Sequence, residues 1–301
     1  MKRFLGLALS LGISCALGLG SKAVATETGG GIYPNGAESF LTAAVPPPGY
    51  YVIDYDNYYE AQHLLGNAGN DLIPAFRVDA LANAFRFVHW SSQKFLGAQV
   101  GQQFILPYVV LDVSAAGLHQ HKSGFGDLTV DPLLLSFQNA KFHVVVTPEI
   151  NLPTGEFKKG VLRISAGTTF NFEPVVAFTY TGAKNFEFDS KLMYDINTVN
   201  PATNYTSGNE FHTDYAVGYA RNGLFTGVAG YYYRQTTDDF ANGQRVGSDG
   251  FRGSVFSFGP DIHVSLAKTL LAFKWEHEVG VKNRTIGNKF WIKLIQHVGN
   301  N

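Results

Sequence analysis

The sequence has a single cysteine and no long apolar run beyond its first 25 residues. That cysteine, Cys15, lies inside the N-terminal apolar stretch, so the rest of the chain can build neither a disulfide framework nor a thiolate metal site. After that stretch, no uncharged apolar run reaches the ~18 residues that a membrane-spanning helix needs, which excludes a helical membrane protein. Charge is scarce as well: 16% of the residues are charged and the formal net charge is −1, which provides no basic surface for nucleic acid.

The first 25 residues have the pattern of a secretory signal peptide. Lys2 and Arg3 precede an apolar stretch that starts at Phe4, and Ala23-Val24-Ala25 offers a cleavage site of small residues. We therefore predict that residues 1–25 are removed. Their removal takes away three basic residues, which leaves 20 against 24 acidic residues and a net charge near −4.

Alternation of apolar and polar residues is abundant in the rest of the chain. Between Lys141 and Leu152 every second residue is apolar, and His143, Glu149 and Asn151 lie on the other face. Most such segments have one row rich in the 24 Phe and 15 Tyr of the chain and a second row that carries the charges. A sheet closed on itself, with lipid outside and water inside, suits both rows. We predict an all-β fold, a transmembrane antiparallel up-and-down β-barrel of the outer membrane of a Gram-negative bacterium.

The spacing predicts twelve strands, at 49–61, 76–90, 94–115, 124–137, 141–152, 168–180, 186–197, 210–220, 224–235, 253–264, 269–279 and 289–298. The joints between them alternate between short and long. Outer-membrane barrels have short periplasmic turns and long external loops, and an even strand number leaves both termini in the periplasm. Ten or fourteen strands are the alternatives, because the second, third and ninth segments alternate less regularly.

The barrel is expected over 49–298, which leaves residues 26–48 before the first strand. This segment has no strand alternation, and Pro46-Pro47-Pro48 stiffens its junction with the barrel. It either folds back into the lumen as a plug or forms a disordered periplasmic tail.

Parity along the strands predicts which side chains point into the lumen. These side chains either pair with one another or line a substrate route: Asp54, Asp56, Asp127, Asp131, Glu149, Glu173, Asp189, Lys191 and Trp291. Three prolines of consecutive strands, Pro132, Pro148 and Pro174, fall on the lipid-facing row. Because each removes a hydrogen bond from the sheet, they indicate either local bulges or a lateral opening into the bilayer.

Short motifs in a fixed order resemble the MetA-pathway-of-phenol-degradation family. They include Gly36-Ala37-Glu38-Ser39-Phe40, Pro46-Pro47-Pro48-Gly49-Tyr50, Gly124-Phe125-Gly126-Asp127, Leu152-Pro153-Thr154-Gly155 and Asn283-Arg284-Thr285-Ile286-Gly287. SphA-like members of that family are regarded as outer-membrane transporters. The resemblance covers essentially the whole chain after the signal peptide and implies passive uptake of hydrophobic or aromatic compounds.

Two other functions remain as alternatives: a structural or surface-binding barrel with a sealed lumen, and an outer-membrane lipase. The lipase would use a His and a Ser two residues apart, as in His89-Trp90-Ser91 and His263-Val264-Ser265. His119 and His121 lack an evident third ligand, so we expect no metal and no cofactor. The expected partners are outer-membrane lipid and lipopolysaccharide, the barrel-assembly machinery and a hydrophobic or aromatic solute, and we expect no enzymatic activity.

Overall fold

A computed structural model describes Glu27, residues 31–155 and residues 170–299. The predicted signal peptide, residues 1–25, lies outside the described residues, and so does most of the loop predicted at 153–167. In the described ranges, no helix is long and apolar enough to cross a bilayer.

The described residues form sixteen strands and one short 3-10 helix, Ala183–Asn185. The strands are β1 (Gly49–Leu64), β2 (Arg77–Phe95), β3 (Ala98–Ala115), β4 (Leu118–Phe125), β5 (Leu128–Gln138), β6 (Phe142–Leu152), β7 (Asn171–Thr181), β8 (Phe186–Asn197), β9 (Tyr205–Thr206), β10 (Glu210–Arg221), β11 (Leu224–Gln235), β12 (Phe240–Ala241), β13 (Gln244–Arg245), β14 (Ser254–Leu266), β15 (Thr269–Lys282) and β16 (Thr285–Gly299). The short strands β9, β12 and β13 form a separate small sheet within the loops.

The other strands form one closed antiparallel sheet. The first strand β1 pairs with β2 on one side and with the last strand β16 on the other, from Tyr50–Gly299 to Leu64–Thr285. Both β4 and β5 pair with β3, one after the other along its length, so they count as a single interrupted barrel strand. The closed sheet therefore has twelve strands, which confirms the predicted fold and strand number.

The outer face of the barrel is apolar and open to its surroundings. Large side chains along β14, β15 and β16 are exposed by 37 to 47%: Ile262, Phe273, Trp275, Phe290, Ile292 and Leu294. Rings on neighbouring strands also pack against each other across this face, as Phe142 does with Tyr180 at 4.8 Å between centroids. In lipid these side chains need no second layer of protein, so the outer row has the character of a membrane-facing surface.

Short turns close one end of the barrel and long loops the other, as the sequence predicts. Three joints differ most from the prediction. The turn predicted at 91–93 lies instead at Leu96-Gly97, the loop predicted at 116–123 is a hairpin turn at 116–117, and the loop predicted at 280–288 narrows to 283–284. These strands continue because polar residues pair in the ladder as readily as apolar ones once they leave the bilayer. We call the two rims the short-turn end and the long-loop end.

Candidate functional site

The lumen of the barrel is lined by buried polar and charged side chains. Of the nine predicted lumen residues, six lie on the inner face: Asp131, Glu149, Glu173, Asp189, Lys191 and Trp291, each at most 9% exposed. They are held in place by their neighbours. Asp131 accepts hydrogen bonds from Gln103 Nε2 and Thr147 Oγ1, both at 2.6 Å. The indole of Trp291 donates to Glu276 Oε2 at 2.9 Å.

The predicted inward orientation of Asp54 and Asp56 is wrong. Their neighbours Tyr55 and Asn57 are the buried, inward side chains of β1, so the two carboxylates lie on the outer face. There Asn83 Nδ2 donates to both, at 2.7 Å to Asp54 Oδ1 and 2.9 Å to Asp56 Oδ1. Tyr55 and Tyr59 face inward because their hydroxyls donate to Glu38 and Glu278 in the lumen, which hydrophobicity alone does not reveal.

The third misplaced residue, Asp127, lies in no strand. It occupies the interruption between β4 and β5, where its Oδ1 accepts a hydrogen bond from Gly155 N at 2.9 Å. Gly126 N donates to the Pro107 carbonyl at the same point. Asp127 thus ties the break in the strand to the loop that follows β6.

Residues 31–48, which we call the lumen segment, lie against the inner face of the barrel. Asp214 of β10 is its main acceptor: it receives hydrogen bonds from Gly36 N at 2.7 Å, Glu38 N at 2.9 Å and Tyr33 Oη at 2.7 Å. On β16, Lys289 Nζ donates to the Asn35 carbonyl at 2.7 Å. Backbone groups that a free tail would present to water are therefore satisfied by lumen side chains.

Glu38 is the carboxylate of the lumen segment that meets the most partners. Arg86 Nη1 donates to it at 2.7 Å, Tyr55 Oη at 2.8 Å and Lys293 Nζ at 3.2 Å. Burial by itself raises the pKa of Glu38, but the positive charges of Lys293, Arg86 and Lys191 outweigh it and lower the pKa to about 2. The segment is thus held by charge-assisted bonds to β1, β2 and β16 at once.

Phe40 fixes the segment sterically. Its ring is 1% exposed and packs against Ala216 and Ala229. Gly218 and Gly227 lie opposite each other on β10 and β11, and a Cβ atom at either position would come within 2.7 to 2.8 Å of Phe40 Cζ. The four small residues therefore form a notch in the barrel wall that fits this ring.

Other contacts show that the segment follows the axis of the barrel. Near the short-turn end, Thr42 N donates to Asp189 Oδ1 at 3.1 Å and Ala43 N donates to Thr179 Oγ1 at 3.0 Å. Near the long-loop end, Asn200 Nδ2 donates to Glu27 Oε2 at 2.8 Å. Glu27 and the lumen segment therefore make contacts near both rims of the barrel.

The three prolines lie together on the outer face at one height of the barrel. Pro148 of β6 is directly opposite Pro174 of β7. The pairing of β5 with β6 shifts register between Val130 and Leu135, the stretch that contains Pro132. At this level the regular pairing is interrupted between β5 and β6 and again between β7 and β8, whereas β6 and β7 remain paired through the two prolines.

On the inner face of the wall, the polarity of the side chains differs above and below the three prolines. Towards the long-loop end lie the carboxylates Glu149 and Glu173. Towards the short-turn end the inner wall carries an apolar patch beside Lys191 and Asp189, formed by Leu134, Val145, Val175, Ala177 and Met193, each at most 8% exposed. The interruption therefore lies at the boundary between a carboxylate row and an apolar patch.

A Ser, a His and an Asp meet in the lumen, but not in a catalytic arrangement. Ser39 Oγ and Asp261 Oδ2 both lie near the same nitrogen of His263, Nε2, at 3.0 and 3.1 Å. A relay needs the carboxylate on one ring nitrogen and the hydroxyl on the other. His263 is moreover fully buried, at 0% exposure, so a lipid ester cannot reach it. The geometry at His263 therefore does not support the lipase alternative.

Sequence reasoning missed several residues that organise the lumen, above all Tyr55, Arg86 and Glu38. The tyrosine spacing of β1, at positions 51, 55 and 59, was an available signal, because all three lie on one face and each carries a hydroxyl that needs a partner when buried. His212, which is 1% exposed on β10, had no comparable signal.

Comparison with known proteins agrees with this architecture. A family model described as "Putative MetA-pathway of phenol degradation" matches residues 64–294. The chain belongs to this family. Among curated proteins, none matches the chain.

Solved structures share the barrel of this phenol-degradation family member. The COG4313 outer membrane channel from Pseudomonas putida F1 is similar with a TM-score of 0.76 and 15% identity, covering 87% of this chain and 99% of that one. The β domain of the Bordetella autotransporter BrkA has a TM-score of 0.50 and 10% identity, covering 83% of this chain and 99% of the other. At these identities the likeness concerns the fold.

Proposed function

We propose that this protein is an outer-membrane channel for passive uptake of hydrophobic or aromatic small molecules, and that the solute leaves sideways through the wall at Pro132, Pro148 and Pro174. The observation that carries the proposal is the alignment of the three prolines at one height, next to an apolar patch of the lumen. The proposal has no chemical step. The family match and the resemblance of the fold to an outer membrane channel support it.

The chemistry around the ladder interruption favours a solute with one polar end. A phenol-like hydroxyl can hydrogen-bond to a carboxylate such as Glu149, while the ring lies on Val145 and Val175. Passing into lipid then removes apolar area from water, which is favourable by about 25 cal/mol per Å². An axial route offers no such gain, because it keeps the solute among charged side chains.

The lumen segment supports a lateral rather than an axial route as well. Its hydrogen bonds to Asp214 and its ion pairs through Glu38 fill the axis with ordered chain. We infer that residues 26–48 act as a plug, that the short-turn end and both termini face the periplasm, and that residues 1–25 direct secretion. Outer-membrane lipid, lipopolysaccharide and the barrel-assembly machinery are the inferred partners.

The test replaces the three prolines together, in the triple variant P132V/P148V/P174V. Restored backbone donors close the interruption, so uptake of a phenol-like solute into proteoliposomes should fall several-fold. Ion conductance in planar bilayers should stay near wild type, because the lumen is unchanged. Pro260 of β14 provides the matched control: it is also outward-facing, it lies opposite Val228, and P260V should leave uptake unaltered.

Wild-type uptake by a normally folded triple variant would refute the lateral route. The alternative function, a structural or surface-binding barrel, predicts something else: no solute flux above that of protein-free liposomes, in the wild type and the variants alike. Flux that depends on the protein but not on the prolines would support the channel function and refute the lateral exit.

A further inference from the structure

Three potential metal ligands converge on the inner wall of the barrel. Glu173 of β7, Asp195 of β8 and His212 of β10 each offer one ligand atom, and these atoms lie within 4.8 Å of one another. His212 Nε2 is 3.0 Å from Asp195 Oδ2 and 3.5 Å from Glu173 Oε2. All three residues are at most 1% exposed.

The cluster belongs to a row of carboxylates that crosses four strands. Glu149 lies opposite Glu173, and Asp195 lies opposite Glu210. Like charges directly opposite each other in a sheet are destabilising, and burial adds a large desolvation cost. In the described ranges two basic side chains are within ion-pair distance of this row of four: His212, and Lys191 with Nζ at 3.6 Å from Glu149. The row therefore has fewer basic partners than carboxylates.

Glu173 has the greatest need for a cation. It is 0% exposed, and no donor among the described residues makes a hydrogen bond to either of its carboxylate oxygens. A buried carboxylate without a donor either takes up a proton or binds a metal ion. The ring nitrogens of His212 do not meet hydrogen-bond geometry with any described residue, and Nε2 faces both carboxylates, so the neutral ring presents a lone pair to the same ion.

We propose that Glu173, Asp195 and His212 bind one divalent transition-metal ion of the zinc class. Zinc bonds of about 2.0–2.2 Å to nitrogen and oxygen place tetrahedral ligands about 3.4 Å apart, close to the distances that separate His212 Nε2 from the two carboxylates. An imidazole among the ligands favours zinc over the hard cations calcium and magnesium. Three protein ligands leave a fourth position for water.

The position of the site gives the metal a structural role. The regular pairing of β7 with β8 is interrupted between Phe172–Ile196 and Val175–Met193, and Glu173 and Asp195 lie within that interruption. A metal bound to both side chains cross-links the two strands where their backbones are not regularly paired. His212 extends the cross-link to β10 and contacts the Tyr33 ring of the lumen segment at 5.2 Å between centroids.

The test measures zinc binding to the full chain, refolded in detergent after treatment with a chelator. Zinc is supplied in one sample during refolding and in another afterwards, because the site is buried. We expect one tightly bound zinc ion per chain and a higher Tm with zinc than with chelator, since a ligand of the native state stabilises it. Cobalt in place of zinc should give the absorption bands of a four-coordinate site.

Two variants and two controls locate the ion. E173Q and H212Q should each weaken zinc binding by about tenfold or more, and the zinc-dependent rise in Tm should disappear. H263Q changes a second buried lumen histidine beside a carboxylate and should bind zinc as the wild type does. H119A/H121A removes the exposed histidines of the hairpin between β3 and β4 and should also keep the site.

Two results would overturn the assignment. The first is a wild-type protein that binds no zinc under either supply and has the same Tm with zinc and with chelator, which would mean that Glu173 is neutralised by a proton. The second is zinc binding that survives in E173Q and H212Q, or that disappears in H119A/H121A. If E173Q and H212Q fail to refold, the wild-type Tm with and without zinc and the zinc binding of H119A/H121A still test the assignment.

Discussion

Replacing Glu38 by Gln should release the lumen segment from the barrel. Glu38 is the acceptor that Arg86, Tyr55 and Lys293 share, and Gln keeps its size while removing its charge. The variant leaves the buried Lys293 and the partly buried Arg86 without their anion, and loss of one partner of a buried ion pair typically costs about 3–5 kcal/mol. The segment, and not the barrel, bears this loss, because the strands keep their own ladder.

The pKa of Glu38 gives a second measure of the free energy that its charge contributes to docking. Burial raises this pKa, but Lys293, Arg86 and Lys191 together lower it from 4.5 to about 2. That difference corresponds to about 3 kcal/mol of stabilisation of the charged form. The ratio of docked to released segment should therefore fall about a hundredfold in E38Q.

Conductance in planar bilayers, recorded as a function of pH, is the assay. Because the docked state lowers the pKa of Glu38, the charge of Glu38 stabilises docking fully above pH 4.5. This stabilisation is lost as the pH falls towards 2. The contribution of Glu38 to docking should thus be constant from pH 7 to about 4.5, and its loss below pH 4.5 should raise the wild-type conductance. E38Q should conduct more at neutral pH and lack the part of the acid transition that Glu38 causes.

The control is Glu60→Gln, which removes a glutamate charge from a strand position whose partners, Asp79 and Asn288, belong to neighbouring strands. It should leave both conductance and pH profile as in the wild type. A folded E38Q barrel with wild-type conductance and an unchanged pH profile would refute the docking role of Glu38 and, with it, the plug.

Two further predictions concern the faces of the barrel wall. F40A removes the buried ring that fills the notch beside Gly218 and Gly227. Docking of the lumen segment should weaken by about 3–5 kcal/mol, and conductance should rise. A folded F40A variant with unchanged conductance would contradict the steric role of Phe40. A nitroxide spin label on D54C should be relaxed by oxygen dissolved in lipid and not by a water-soluble nickel chelate, because position 54 faces outward. A label on Y55C is the inward-facing control. The opposite result for D54C would restore the orientation expected from the sequence.

The sequence was sufficient for the barrel because the physical cause is local and repeated. Alternation with period two specifies which residues share a face, and a lipid-facing row needs no partner to be recognised. The joint lengths then indicate the number of strands. The same reasoning placed Asp131, Glu149 and Glu173 correctly, since each lies in a strand whose outer row is plainly apolar.

Alternation misled where both rows of a strand are polar or aromatic. On β1, parity assigns the aspartates at 54 and 56 to water and the tyrosines at 51, 55 and 59 to lipid. The tertiary structure reverses this, because Tyr55 donates to Glu38 of the lumen segment and Tyr59 donates to Glu278 of β15. Such partners are separated in sequence and come together only when the barrel closes.

What the sequence by itself determined is therefore the membrane barrel and, for regular strands, the face on which each side chain lies. What only the tertiary structure decided is how strands are aligned in height and what fills the lumen. Pro148 and Pro174 meet because of the register between β6 and β7, and Glu173 meets His212 across β8. Alternation along a strand repeats every two residues and carries no information about the register between strands. Clusters of side chains from different strands form only in one register.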